Sequence, residues 1–179
     1  MATYEQVLGQ DIDTHVSTIT NELAEYGIGR DELVELDHLC YRVETMERYQ
    51  AMQRELGKIA ILRGETDVQG RPISVYELEE YIDSCGWTIP YIELPAPKIG
   101  SLYSEGLEHA EFVVRGGLRD FVYRHPDVSF DDKSARRSIN PEYGLKNDRA
   151  AMKFHQLSIG AVVAIEQALA KEQTAPLDR

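Results

Sequence analysis

Two short segments of this chain are close copies of each other, and this repeat constrains the fold more than any other feature. Residues 36–43 read LDHLCYRV and residues 107–114 read LEHAEFVV, so each has an apolar residue, an acid, a histidine and then an alternating run that ends in valine. The two histidines, His38 and His109, lie 71 positions apart. A repeated segment with a histidine at the same place predicts a duplicated module in which each copy supplies one ligand to a shared site.

Composition and charge restrict the classes of partner. The chain has 179 residues, 42% of them hydrophobic, which predicts one globular domain or two small modules that share a core. The net charge of −12 disfavours binding to nucleic acid or to anionic membranes. No apolar run approaches the ~20 residues that span a bilayer. The chain shows no leader pattern at its start, and its two cysteines predict no disulfide framework, so we expect a reduced, cytoplasmic protein.

The first part of the chain reads as a helix followed by one β-α-β-β-β module. Apolar residues at 12, 16, 19 and 23 recur at helical spacing and predict a helix over 3–26. This N-terminal region, 1–30, is expected to pack on the core. The first module, 31–94, is predicted as strand 36–43, helix 45–56 and strands 58–63, 72–79 and 87–94.

The same order of elements recurs after a linker at 95–106 that is rich in Pro, Gly and Ser. The second module with its C-terminal helix, 107–172, is predicted as strand 107–114, helix 117–124, strands 128–135, 139–145 and 150–156, and helix 158–172. Residues 173–179 are expected to form a tail. The predicted fold class is therefore α+β, in which two paired β-α-β-β-β modules form a curved mixed β-sheet cup, with an extra N-terminal helix and a C-terminal helix.

Alternation along the strands predicts four metal ligands in the cup. Successive side chains of a strand point to opposite faces, so His38 lies on the cup face while Leu39 meets the helices. His109 follows the same rule. Glu93 and His155 fall at equivalent places when the last strands of the two modules, YIEL and KFHQ, are overlaid. His38, Glu93, His109 and His155 are thus predicted to hold one divalent ion, and imidazole with a carboxylate suits Zn, Fe, Ni or Mn.

The paired modules and the ligand placement resemble the vicinal oxygen chelate superfamily, which includes glyoxalase I, extradiol dioxygenases and fosfomycin-resistance proteins. More closely, residues 30–172 resemble the bacterial YecM-like family. That resemblance is carried by short motifs, namely Asp37-His38, Gly70-Arg71-Pro72-Ile73, Glu93-Leu94-Pro95, Glu105-Gly106, Glu108-His109 and Lys153-Phe154-His155. The superfamily implies metal-dependent isomerase, lyase or oxygenase chemistry, and the YecM-like branch implies a metal enzyme of unassigned substrate. His155 departs from the superfamily pattern, which usually has Glu at the fourth ligand position.

Arg42 and Glu111 share the cup face with the histidines, and two interpretations of them stay open. In the first, Glu111 is a catalytic base and Arg42 binds substrate or orients the ligands. In the second, they form a structural ion pair. His38 and His109 each have the alternative of a core side chain satisfied by hydrogen bonds. Glu93 has that of an edge glutamate, and His155 that of a residue at the end of the sheet. His15 and His125 are expected at the surface.

These patterns together predict a metal-dependent protein that acts on a small oxygenated molecule, with the ion as Lewis acid. An isomerase, a lyase and a dioxygenase all fit this description. The alternative is a small-molecule binding protein with the same fold and no catalysis. The expected partner is a small-molecule substrate or ligand, without nucleic acid or membrane, and the sequence leaves the oligomeric state open.

Overall fold

A seven-stranded mixed sheet carries both copies of the repeated segment at its centre. The computed structural model describes residues 3–9, 11–68, 70–100 and 104–174, with the side chains of 173 and 174 excepted. The strands are β1 Leu33–Arg42, β2 Ala60–Asp67, β3 Pro72–Ser84, β4 Trp87–Pro95, β5 Gly106–Val114, β6 Tyr143–Lys146 and β7 Ala151–His155. The helices are α1 Tyr4–Leu8, α2 Ile12–Glu25, α3 Met46–Leu56, α4 Leu118–Arg124 and α5 Ile159–Thr174, with a short 3-10 turn at Arg30–Glu32.

The strand order β2-β3-β4-β1-β5-β7-β6 makes the sheet nearly symmetric about its middle. The two repeat strands, β1 and β5, pair with each other antiparallel. Each then pairs parallel with the last strand of its own module, β1 with β4 and β5 with β7. The predicted α+β fold of two paired modules is therefore confirmed.

Three local predictions differ from the structure. The predicted helix over 3–26 is two helices, because Gly9 adopts a left-handed φ of 63° that ends α1, and the Asp11 side chain then caps α2. The predicted strand over 128–135 is reduced, within the described residues, to a single bridge between Asp131 and Gly144. The next predicted strand, 139–145, starts later, at Tyr143. The second module therefore has three strands where the first has four.

The main core lies on the face of the sheet opposite the repeated histidines. Leu39 of β1 and Phe112 of β5 are fully buried there, as alternation predicts. Phe112 stacks on Phe154 of β7, with ring centroids 5.9 Å apart, and contacts Trp87 edge-on at 5.3 Å. Phe121 of α4 joins them at 5.0 Å from Phe154. This aromatic cluster fixes β5 and β7 against each other, and so fixes the side chains on their other face.

The C-terminal helix α5 lies on the cup side of the sheet. Its residues Ile159, Val162 and Val163 line one cavity together with the repeated histidines. Gly160 allows α5 to pack closely against β4, because a Cβ at that position would overlap the hydroxyl of Tyr91 on β4. No helix in the described parts of the chain has both the length and the apolar content to cross a membrane.

We expect Phe112→Ala to lower the free energy of unfolding by about 3–5 kcal/mol, because it removes a fully buried ring and leaves a cavity in the aromatic cluster. Urea unfolding followed by circular dichroism measures this change. The control is Tyr123→Ala on α4, whose side chain is 80% exposed and which should change stability by less than about 0.5 kcal/mol. Equal stability of the two variants would contradict the assigned core.

Candidate metal centre

The acid that precedes each repeated histidine sits in a β-bulge. On β1, Leu36 lies opposite Phe112 and His38 opposite Glu111, so that Asp37 has no partner on β5. On β5, His109 lies opposite Cys40 and Leu107 opposite Tyr41, so that Glu108 has no partner on β1. A bulge re-aims the side chain of its extra residue. Both modules use it at the same place, directly before the histidine.

The bulges bring each acid onto the ring of the histidine that follows it. Asp37 Oδ2 lies 2.8 Å from His38 Nδ1, and Glu108 Oε2 lies 2.7 Å from His109 Nδ1. Since a carboxylate accepts the bond, Nδ1 carries the proton and a neutral ring offers Nε2 as its lone-pair nitrogen. Histidines that bind metals are commonly oriented in this way.

Each orienting carboxylate is itself held by a second donor. The backbone N–H of Ile159, the first residue of α5, donates to Asp37 Oδ2 at 2.8 Å. Arg42 Nε donates to Glu108 Oε2 at 2.8 Å. Arg42 thus contacts Glu108, and it lines the cavity as the sequence predicted. The predicted alternative is an Arg42–Glu111 ion pair, and the ion pairs that the structure shows for these two residues are Arg42 with Glu108 and Glu111 with Lys153.

The Nε2 atoms of both histidines point at the same two carboxylates. Glu93 Oε2 lies 3.9 Å from His38 Nε2 and 3.8 Å from His109 Nε2. Glu111 Oε1 lies 3.5 Å and 3.0 Å from the same two atoms. Among the described residues, His38 Nε2 has no hydrogen-bond partner although it is buried. The ligand atoms of His38, Glu93 and Glu111 lie within 4.8 Å of one another, a set that could hold a divalent cation, and His109 Nε2 lies beside the same two carboxylates.

His155 lies beside this group, on the far side of Glu111. Its Nε2 is 3.4 Å from Glu111 Oε2 and 3.6 Å from Asp37 Oδ2, and its ring stacks on that of His38 with centroids 6.2 Å apart. The side chain is 1% exposed, and neither ring nitrogen has a hydrogen-bond partner within the described parts of the chain. His155 as the fourth ligand stays a prediction.

The strand register places Lys153, and not His155, at the position equivalent to Glu93. Glu93 lies opposite Cys40, two residues after His38. Lys153 lies opposite Glu111, two residues after His109. The sequence overlay of the two last strands was therefore displaced by two residues, because it matched residue types without knowing the pairing. Lys153 Nζ contacts Glu111 Oε1 at 2.6 Å and lies 3.6 Å from Glu142 Oε1.

These residues lie at the floor of a cavity of about 280 Å³ between the sheet and α5. Both polar groups and apolar side chains of β3 and α5 line the cavity. Its size suits a small organic molecule more than a macromolecule.

Comparisons of the sequence with known proteins show the family of this chain. The family model described as YecM protein matches residues 4–166. Protein YecM of Escherichia coli strain K12 is 30% identical over 149 residues, which cover 73% of this chain and 78% of that protein. The chain belongs to the YecM family.

Two further matches are a partial sequence relative and a solved structure of the same fold. An uncharacterized protein of Haemophilus influenzae Rd is 34% identical over 80 residues, or 45% of this chain and 42% of that protein. A solved structure described as Structural Genomics, Protein EC4020 has a TM-score of 0.75 at 24% identity and covers 93% of this chain and 98% of that chain. The structural likeness shows that the two chains share a fold.

In this YecM-family chain the pKa values of the two stacked histidines, His38 and His155, are shifted in opposite directions. Burial acts to lower the pKa of His38, but the carboxylates of Glu111 and Asp37 outweigh it and raise that pKa to about 10. Burial dominates at His155 and lowers its pKa below the ordinary 6.5. Glu111 is buried, yet Lys153 and His38 hold its pKa well below the usual 4.5. Glu111 is therefore a carboxylate when no metal is bound.

Sequence reasoning missed some members of the site and misplaced others. The orienting roles of Asp37 and Glu108 were not predicted, although an acid before each histidine was visible in the repeat. Lys153 stands in one of the family motifs, but no sequence pattern marks it as the partner of Glu111. His15 and His125 are half-buried instead of exposed, and His125 Nε2 lies 3.0 Å from Glu32 Oε1.

In protein freed of divalent metal by a chelator, we expect His38 to be an imidazolium and His155 a neutral imidazole at pH 8. Because the pKa of His38 is higher in the folded than in the unfolded chain, its stabilising contribution is complete below pH 6.5 and is lost as pH rises towards about 10. Imidazole ¹⁵N chemical shifts report both protonation states. His38→Gln serves as the assignment control and should flatten this part of the stability profile. A neutral His38 ring at pH 8 would contradict the assigned electrostatics.

Proposed function

We propose that this YecM-family protein binds one divalent metal ion through His38, His109 and Glu93 and acts on a small oxygenated molecule in the adjoining cavity. The observation that carries the proposal is the pair of acid–histidine units, which aim two Nε2 atoms at one pair of carboxylates. Glu111 is the fourth group within reach of this point. His155 remains a proposed further ligand on the other side of Glu111.

The donor chemistry supports a divalent ion. His38 Nε2 is buried without a hydrogen-bond partner in the described chain and lies 3.5 Å from Glu111 Oε1, so a bound cation would take the place of the imidazolium proton. Imidazole nitrogens with carboxylate oxygens suit Zn, Fe, Ni or Mn, and do not select among them. Such an ion, when bound, supplies Lewis acidity to substrate oxygens.

Residues of the chain itself would hold and orient the substrate. Lys153 neutralises Glu111 and keeps its oxygen beside both Nε2 atoms, so that a proton could be accepted there once substrate weakens the ion pair. Arg42 holds Glu108 and so keeps the His109 ring in place. The apolar side chains of α5 cover the cavity and limit the access of water.

The reaction class is proposed as that of a metal-dependent isomerase, lyase or dioxygenase. The two paired modules are the arrangement that the resemblance to the vicinal oxygen chelate superfamily implies. The alternative is a binding protein that holds a small molecule in the same cavity without turnover. Turnover of a panel of dicarbonyl, epoxide and catechol compounds by the metal-loaded protein separates the two.

We also propose a small molecule as the partner, and the cytoplasm as the compartment. The net charge of −12 disfavours nucleic acid and anionic membranes. Both cysteines, Cys40 and Cys85, are free, which fits a reducing compartment.

Elemental analysis after equilibration with Zn²⁺ and desalting should find about one ion per wild-type chain. His38→Gln and His109→Gln should each abolish stoichiometric metal, because each removes a proposed ligand while the aromatic core stays intact. His125→Gln is the matched control, since His125 is also partly buried and paired with a glutamate but lies away from the cup. It should retain the metal.

The orienting acids give a graded test of the same site. Asp37→Asn and Glu108→Gln should weaken the affinity for Zn²⁺ by about 10- to 100-fold without abolishing binding, because the rings lose their orienting carboxylate but keep Nε2. Full metal retention in the His38→Gln, His109→Gln double variant would make the repeat a packing feature and favour the metal-free binding protein.

A further inference from the structure

Four basic side chains line the described part of the cavity, and three of them form ion pairs with carboxylates. Arg42 pairs with Glu108, Lys153 pairs with Glu111, and Arg137 Nη1 donates to Glu142 Oε2 at 2.9 Å. The fourth, Arg71, lines the same cavity but makes no ion pair and no side-chain hydrogen bond with any described residue. An uncommitted guanidinium in a half-buried position needs an anion or water.

The backbone of Arg71 is fixed by the turn between β2 and β3. Val68 N–H donates to the carbonyl of Arg71 at 2.8 Å, and Gly70 N–H donates to Asp67 Oδ1 at 2.7 Å. Gly70 has a φ of 79°, which a side chain would strain. These contacts hold the backbone of Arg71 beside the cavity that its side chain lines.

Strand register gives the separation between Arg71 and the proposed metal site. Val75 of β3 lies opposite Glu93, and Ile73 lies opposite Pro95. Arg71 precedes Val75 by four residues, so its backbone lies about 13 Å along the sheet from the level of Glu93, at about 3.3 Å per residue. Even with an extended arginine side chain, one ligand that reaches both places needs several bonds between its two ends.

The faces of β3 and α5 between these two places are mainly apolar, and a hydrogen-bonded pair, Thr66 and Glu166, also lines the cavity. Arg71 directly precedes β3, and Ile73 and Val75 follow it at two-residue spacing; all three line the cavity. Val162 and Val163 of α5 face the cavity from the opposite side. A hydrocarbon segment fits these apolar faces, whereas a polar one would lose its hydrogen bonds to water.

We propose that the substrate of this site is a two-ended molecule, with oxygens that chelate the ion at one end, a short hydrocarbon spacer, and an anionic carboxylate or phosphoryl group that Arg71 binds at the other end. This inference rests on the proposed function for its chelating end only. Arg71 is a specificity-determining residue that selects the anionic end. Arginine suits this role because its planar fork binds carboxylate and phosphate in a bidentate manner.

The test uses protein freed of divalent metal by a chelator and probes without a chelating head, so that it does not depend on the metal. Hexanoate, hexylphosphonate and the uncharged hexanamide are titrated into ¹⁵N-labelled wild-type protein, and the Arg71 Nε–H and Val162 amide signals are followed. We expect saturable shifts with at least one anion and about tenfold weaker binding of the amide, the size of one charge-assisted contact. The preferred anion identifies a carboxylate or a phosphoryl end.

Arg71→Gln should remove the preference for the anion and leave binding of the amide unchanged. Arg63→Gln is the matched control, since Arg63 lies on the adjacent strand β2 but pairs with Glu77 outside the cavity. It should behave as wild type. Equal binding of hexanoate, hexylphosphonate and hexanamide, or no saturable shift with either anion, would overturn the anionic subsite. Neither result would bear on the metal analysis of the histidine variants, so failure of one proposal is distinguishable from failure of the other.

Discussion

The contact between a bulged acid and the histidine that follows it is the interaction on which the site depends. It occurs twice, as Asp37 with His38 and as Glu108 with His109. Each contact fixes the ring and leaves Nε2 facing the cup. Because β1 and β5 are paired antiparallel, the two Nε2 atoms approach Glu93 and Glu111 from the two halves of the sheet. Without the bulges, alternation would place both acids on the helix face.

The surrounding structure holds these acids in place from two directions. The first turn of α5 donates a backbone N–H to Asp37, and that turn is seated on β4 because Gly160 leaves room for Tyr91. Arg42, from the end of β1, holds Glu108. The same helix that closes the cavity thus also positions one proposed ligand. A shift of α5 would therefore move the Asp37 carboxylate and, through it, the ring of His38.

Much of the fold could be predicted from the repeat and from the alternation of apolar residues. Leu39 and Phe112 face the core as predicted, because a one-residue slip would move the apolar set of each central strand into the cup. The pairing register could not be read from the sequence. The overlay of the two last strands therefore assigned His155 to the position equivalent to Glu93, which Lys153 occupies in the structure. The bulges at Asp37 and Glu108 were also hidden, since an extra unpaired residue leaves no signature in a single strand. The one sequence feature that indicates the bulges is the acid that precedes each repeated histidine.

X-ray absorption spectroscopy of the Zn²⁺-loaded protein tests most directly whether His38 and His109 bind the same ion. If the two acid–histidine units present His38 and His109 to one ion, the spectrum should show at least two imidazole ligands at about 2.0–2.1 Å together with carboxylate oxygen. The imidazole contribution should fall in each single His38→Gln or His109→Gln protein when metal is supplied in excess. A spectrum fitted by oxygen ligands alone, with no multiple scattering from imidazole, would contradict it.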